Sequence, residues 1–329
     1  MKILFIGGTG NISTSVSKDV IRKGHNLFLL NRGLKNMEIE GANYLKADIN
    51  DNKEIEKILR HEKWDVVVNW IAFVPEEVKR DIQLFSGKTG QYIFISSASA
   101  YQKPPSSPFI TESTPLSNPY WQYSRDKIAC EEILLSAYRD HGFPMTIVRP
   151  SHTYDTVIPA VFGAWTEYAF IDRMMKGKQI IIPGDGTSLW VLTHAEDFAK
   201  GFNGLLGLKS SIGHAFHITS DEVLSWNQIY QYIAEAAGCE ANFVHITSQA
   251  IIKAEPDLEG NLIGDKSNSV IFDNSKIKKF VPGYEATIPF CHGIKRTLQW
   301  FREKPDRMKI NPDIDKLFDK IITLSGFKP

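Results

Sequence analysis

The seven residues Gly7-Gly8-Thr9-Gly10-Asn11-Ile12-Ser13 constrain the fold more than any others in the chain. They stand between KILFI (Lys2–Ile6), which reads as a buried strand, and a segment whose apolar residues Ile12, Val16 and Val20 recur every four positions. Glycines permit a tight turn and let the main chain approach a pyrophosphate, and the helix N-terminus that follows offers unpaired N–H groups. A glycine run alone is weak evidence; between a strand and a helix it specifies a dinucleotide-binding turn. Ser13 takes the place of the usual third glycine, a position that governs helix–strand packing and that a small serine fits.

The first half of the chain repeats the same alternation. NLFLL (26–30), NYLKA (43–47), DVVVNW (65–70), QYIFIS (91–96) and MTIVRP (145–150) are mostly near-continuous apolar runs, as strands covered on both faces should be. Helices are expected between most of them, at 51–61, at 76–85 behind Pro75, and at 120–141. Repeated βαβ units predict an α/β fold with a Rossmann-type, doubly wound parallel sheet. Beyond residue 150 the regularity fades: helices are expected at 158–176, 194–206, 225–238 and 288–303, with short strands at 179–182, 215–218 and 242–246. The reading is a dinucleotide domain over 1–155 and a smaller α+β substrate lobe over 156–329, interleaved with the last sheet strands. Residues 99–119 carry five prolines, long for a plain connection and a candidate substrate loop.

Charge narrows the partners. Lys and Arg number 38, Asp and Glu 38, so no long-range field draws the chain to nucleic acid or to an anionic membrane. Cys130, Cys239 and Cys291 are dispersed and odd in number, which argues against a disulfide framework and for the cytoplasm. The apolar run 66–74 is too short to span a bilayer, and the N-terminal run is too short for a signal peptide. His214 and His217 lack a carboxylate or thiol cluster nearby and read as structural, so no metal is expected. A small-molecule substrate is the expected partner.

The second strand ends in Asn31-Arg32. Asn31 removes the acidic group that would bind a ribose 2′-hydroxyl, and Arg32 suits a 2′-phosphate, which favours NADP over NAD. Tyr123 and Lys127 lie four apart on one predicted helix and so face the same way. A phenol is a poor base at neutral pH; a neighbouring ammonium and a nicotinamide cation favour its ionised form. Tyr123 can then exchange a proton with substrate while hydride moves, with Lys127 also on the nicotinamide ribose. After the fifth strand, Ser96, Ser97 and Ser99 offer a hydroxyl to hold the substrate oxygen.

With GGTGNIS, KADI (46–49), VVNWIA, FISSASAY, YSRDK, VRPSHTYD (148–155) and PGDGTSLWVLTHAEDFA (183–199), the chain resembles the extended short-chain dehydrogenase/reductase family, the NAD-dependent epimerase/dehydratase group, over nearly its whole length. The resemblance implies that Gly7, Thr9, Gly10, Asn11 and Ile12 hold the pyrophosphate end, with Asn31 and Arg32 at the adenosine ribose. It puts Asp48 and Ile49 by the adenine, Ile71 and Ala72 along the dinucleotide groove, and Pro150 and His152 beside the nicotinamide. It makes Tyr123, Lys127 and Ser97 the catalytic set, with Ser97 rather than Ser99 at the family's serine/threonine position. It also implies a homodimer built through the helices at 76–85 and 120–141. Three departures bear on the substrate. Trp190 stands where sugar-nucleotide epimerases carry a diphosphate-binding arginine, His152 stands for a common asparagine, and no Arg-Arg-x-x-Asp segment is evident near the C-terminus. A UDP-sugar is therefore disfavoured; Trp190 suits stacking on a sugar or aromatic ring, or core packing, and Ser99 and Trp190 are the substrate candidates. The implied activity is that of an NAD(P)-dependent epimerase, dehydratase or reductase on a hydroxyl or carbonyl of a small, sugar-like compound. The alternative is a catalytically silent relative that senses the dinucleotide or binds RNA.

Overall fold

A computed structural model describes residues 1–33, 38–163 and 165–328. Among them, seven strands form one all-parallel sheet: β1 (Lys2–Ile6), β2 (Asn26–Asn31), β3 (Asn43–Lys46), β4 (Val66–Asn69), β5 (Tyr92–Ile95), β6 (Met145–Pro150) and β7 (Ala215–Ile218). Their order is β3-β2-β1-β4-β5-β6-β7. The chain builds outward from β1 to one edge, returns to β4 and builds to the other. The crevice at that reversal, beyond the carboxyl ends of β1 and β4, is where open α/β sheets bind ligands.

Strand periodicity divides the core. Ile3, Phe5, Leu27, Leu29, Val66 and Val68 face α1 (Ser13–Arg22) and the later helix Ala195–Leu205. Leu4, Ile6, Val67, Tyr92, Phe94 and Met145 face α2 (Asn52–Leu59), α3 (Pro75–Phe85) and α4 (Gln122–His141). Both faces are covered, which is why the strands show apolar runs rather than alternation. Gly142 ends α4 at φ 67°, a left-handed cap that glycine takes without a Cβ penalty.

The second half packs its own core around Phe170, Ile180, Ile181, Trp226, Tyr230 and Phe318. It holds the helices Ala169–Met175, Trp226–Ala237, Phe290–Arg302 and Pro312–Leu324. The strand expected at 215–218 joins the main sheet as β7, beside β6. The helix expected over 158–176 is confined to Ala169–Met175. Pro159 cannot donate to a helical ladder, and Gly163 adopts φ 90°, where a Cβ would lie 2.7 Å from the Phe318 ring. The segment before residue 169 is instead moulded to the C-terminal helix. No helix among the described residues is long and apolar enough to cross a membrane.

Candidate active site

One cavity of about 1140 Å³ runs across the carboxyl ends of the strands and is walled by both halves of the chain. Gly7 and Gly8 turn out of β1 at φ 93° and 99°. A Cβ on Gly8 would stand 2.6 Å from Leu29, and one on Gly7 would stand 3.1 Å from Ile71, so a side chain at either would intrude on the packed turn. Ser13 Oγ accepts from Gly10 N at 2.8 Å, an extra tie that a third glycine would lack. Asn11 lines the cavity, and its side chain also ties the turn down: its Nδ2 donates to Thr153 O at 2.9 Å and its Oδ1 accepts from Thr156 N at 3.2 Å, binding the glycine turn to the segment after β6.

Thr9, Ile12, Asn31, Arg32, Asp48, Ile49, Ile71, Pro150 and His152 line the same cavity. Asn31 Oδ1 accepts from Gly33 N, and Asp48 Oδ1 accepts from Asn50 N, so both side chains also shape their turns. Arg32 is exposed. Glu38, which the sequence reading did not single out, borders the cavity as well. Ala72 is buried; its carbonyl oxygen receives Lys127.

Lys127 is 2% exposed, and its Nζ donates to the carbonyls of Ala72 at 2.6 Å and Ile95 at 2.7 Å. Burial pushes its ammonium down to about 8; the nearby Cys130, Glu77 and Glu131 oppose that shift. The Tyr123 ring centroid is 5.7 Å from this Nζ. Burial raises the Tyr123 phenol above its ordinary value, the Ser97 hydroxyl beside it lowers it, and Asp265 pushes it up again. Ser97 Oγ lies 2.9 Å from Ser99 Oγ, which in turn accepts from Ser124 Oγ at 2.8 Å. Ser99 and Ser124 are buried behind Ser97, so the three hydroxyls form a chain with Ser97 at its front. Arg125 and Asp126 bond to Gln122 on the helix surface. Ser96 turns away from the cavity centre onto Glu131.

His152 is buried and stacked on Trp165 at 4.6 Å, and neither ring nitrogen has a partner among the described residues. Burial, reinforced by the Lys266 ammonium, holds its imidazole well below the ordinary histidine value, so it is neutral. Trp190 is buried and stacked on Trp226 at 5.8 Å, yet it also lines the cavity. Trp121, Trp165, Lys103, Asp265 and Lys266 complete this end and were not found in the sequence reading. For Lys103 a signal existed, since it falls in the proline-rich stretch taken as a substrate loop. His194 caps the helix Ala195–Leu205, accepting from Glu196 N. His217 bonds Tyr101 and the Asp273 carbonyl. Among the described residues no group of three His, Cys, Asp or Glu is placed to hold a metal.

A model of the NAD dependent epimerase/dehydratase family matches residues 3–218. Among curated proteins, 2'-dehydrokanamycin reductase of Streptomyces kanamyceticus is 23% identical over 292 residues, covering 87% of this chain and 80% of that protein. The chloroplast stem-loop binding protein of 41 kDa b of Arabidopsis thaliana is 27% identical over 259 residues, covering 74% of this chain and 65% of its own. Among solved structures, UDP-glucose 4-epimerase from Bifidobacterium longum in complex with NAD+ and UDP superposes with a TM-score of 0.74 at 18% identity, over 93% of this chain and 100% of that one.

Proposed function

The chain belongs to the NAD dependent epimerase/dehydratase family, and from that membership and the cavity we propose that it binds a nicotinamide dinucleotide. We further propose that it acts as a reductase, epimerase or dehydratase on a hydroxyl or carbonyl of a small, sugar-like substrate. The observation that carries this reading is convergence: the glycine turn, Tyr123, Lys127 and Ser97 all border one cavity. A relative that is a reductase and a fold neighbour bound to NAD+ are consistent with it.

The residues fit such a cofactor. The glycine turn would cradle the pyrophosphate, where a Cβ on Gly8 would disturb the packing. Asp48 and Ile49 would take the adenine, and Ile71, Pro150 and His152 the inner half. A bound nicotinamide supplies the hydride donor or acceptor. The chain supplies the proton chemistry: Tyr123 Oη gives or takes the proton at the substrate oxygen, Ser97 Oγ holds that oxygen, and Lys127 favours the phenolate. The proposal includes a dinucleotide domain over 1–155, a substrate lobe over 156–329 and a homodimer through α3 and α4.

Lys127 gives a pH signature. Two of its hydrogens go to the Ala72 and Ile95 carbonyls, and a neutral amine has only two. A third hydrogen for a ribose hydroxyl exists only in the ammonium, which is lost above about 8 in the free protein. Dinucleotide binding favours the protonated form, so affinity is full below pH 8 and falls as pH rises through it. Titrations between pH 6.5 and 9.5 should show the fall in the wild type and its loss in Lys127→Met; a flat wild-type profile contradicts the assignment.

We assign the preference for NADP to Arg32, which borders the cavity at the end of β2, against the opposing carboxylate of Glu38. Arg32→Ala is expected to weaken NADPH by roughly tenfold or more and NADH little. Energy transfer from the cavity tryptophans to the reduced nicotinamide reads both. Equal losses remove the preference, and a folded, cofactor-free protein that binds neither removes the proposed function.

A further inference from the structure

Where the second lobe closes the cavity, the buried Lys103 and Lys266 and the partly buried Asp265 form a cluster that the proton chemistry above does not use. Lys103 and Lys266 are each 5% exposed. Lys103 Nζ donates to the Asp265 carbonyl at 3.1 Å and stands 3.6 Å from its carboxylate. Lys266 Nζ is 3.0 Å from the other carboxylate oxygen and also donates to Asn261 Oδ1. Two ammoniums thus share one carboxylate. The charges acting on Lys103 are Asp265, which attracts it, and Lys266, which repels it. Beyond these partners the lysines meet aromatic faces: Lys103 Nζ is 5.4 Å from the Trp190 ring and Lys266 Nζ is 6.0 Å from Trp121.

The cluster is fixed in place. Asp265 and Lys266 lie in the π-helical turn Leu262–Lys266, a rare geometry frequent at functional sites. Asn118 Nδ2 donates to Gly264 O at 2.6 Å and to Ser99 O at 2.8 Å, clamping that turn to the serine loop. Gly260 approaches Trp121 so closely that a Cβ would sit 2.4 Å from its ring. Asp265 acts on Tyr123 and Lys266 on His152, which places the cluster in the electrostatic neighbourhood of the reaction centre. On the same cavity wall, the His152 imidazole and the Trp190 indole N–H are buried without hydrogen-bond partners among the described residues.

Burying an ammonium is costly unless it is paired, and one carboxylate cannot neutralise two. A second anion entering the cavity would restore the balance and meet donors on several sides. Resting on the functional reading above, we propose that the substrate carries an anionic group, a phosphate or a carboxylate, received between Lys103 and Lys266. These two lysines then determine substrate choice, and an uncharged sugar is a poor ligand.

The test is calorimetric titration with inorganic phosphate, glucuronate and glucose at constant ionic strength, on the full chain with and without saturating dinucleotide. At least one anion should bind saturably while glucose does not; the tighter anion separates phosphate from carboxylate. Lys103→Met and Lys266→Met should each weaken that anion by roughly tenfold or more, and Lys103→Arg should retain most of the affinity. Glucose binding as well as the anions, or anions binding as well to both methionine variants, overturns the proposal, as does absence of anion binding. The comparison of glucose with glucuronate on the wild type needs no variant, so a variant that misfolds does not shield the claim. Dinucleotide affinity is read separately: its absence overturns the functional reading, whereas a dinucleotide-loaded protein indifferent to anions overturns this inference alone.

Discussion

Tyr123→Phe is expected to cut turnover by roughly 10²–10⁴ while dinucleotide affinity stays within a few-fold of wild type. The substitution deletes one hydroxyl and keeps the ring, which packs 5.1 Å from Trp121 and 6.3 Å from Phe73. Lys127 keeps its two carbonyl partners, because neither involves Tyr123. What is lost is the hydroxyl beside Ser97 to which we assign proton transfer. Burial alone makes the Tyr123 phenol harder to ionise, so its use as a base depends on help from Ser97 and the Lys127 ammonium. The cost should therefore fall on kcat. Lys127→Met, by contrast, should damage affinity and kcat together. Steady-state kinetics alongside fluorescence titration separates the two patterns, and a Tyr123→Phe enzyme with wild-type turnover would remove that residue from the chemistry.

The glycine turn and the Tyr123–Lys127 pair, which border the cavity and to which we assign the chemistry, stand out in the sequence because each is local. The glycine turn is seven consecutive residues, and Tyr123 and Lys127 are one helical turn apart. The sheet was legible because fully buried parallel strands leave dense apolar runs such as Val66–Asn69 and Tyr92–Ile95. The lysine-lined end of the cavity is another matter. Lys103 and Asp265 are 162 residues apart, and only the tertiary fold makes them neighbours. Nothing near Asp265 signals a π-helical turn, and Trp121 reads as an ordinary residue before a helix until Gly260 is seen against it. The helix expected at 158–176 failed for a similar reason: apolar periodicity was present, but Pro159, the positive φ of Gly163 and contact with Phe318 decided the path. Asn11 shows the reverse. Its position in the motif was plain, while its side-chain bonds to residues 153 and 156 were invisible from spacing.

Glu131→Ala is expected to destabilise the fold by about 3–5 kcal/mol, the range for stranding one partner of a buried ion pair. Glu131 lies on α4 four residues after Lys127 and is fully buried. Its carboxylate accepts from Arg149 Nε at 2.9 Å and Nη2 at 2.6 Å, a two-pronged contact between α4 and β6, and from the Ser96 hydroxyl. Arg149 is 5% exposed and lies 4.9 Å from the Tyr101 ring, whose hydroxyl reaches His217 Nδ1 at 3.0 Å. Deleting the carboxylate leaves the guanidinium in this enclosure with only uncharged partners among the described residues, the Glu112 carbonyl at 3.3 Å and the Tyr101 hydroxyl. Glu131→Gln preserves the shape and an acceptor for Ser96 but not the charge, so it should fall between wild type and alanine. The double variant Glu131→Met with Arg149→Met removes both charges together and should be less destabilised than either single methionine variant, because no buried charge is left unpaired. Urea denaturation of the five variants measures this directly. A loss below about 1 kcal/mol for Glu131→Ala would mean that water reaches Arg149 when the carboxylate is gone. The pair would then be a solvated bridge rather than a buried brace joining α4, β6 and Ser96.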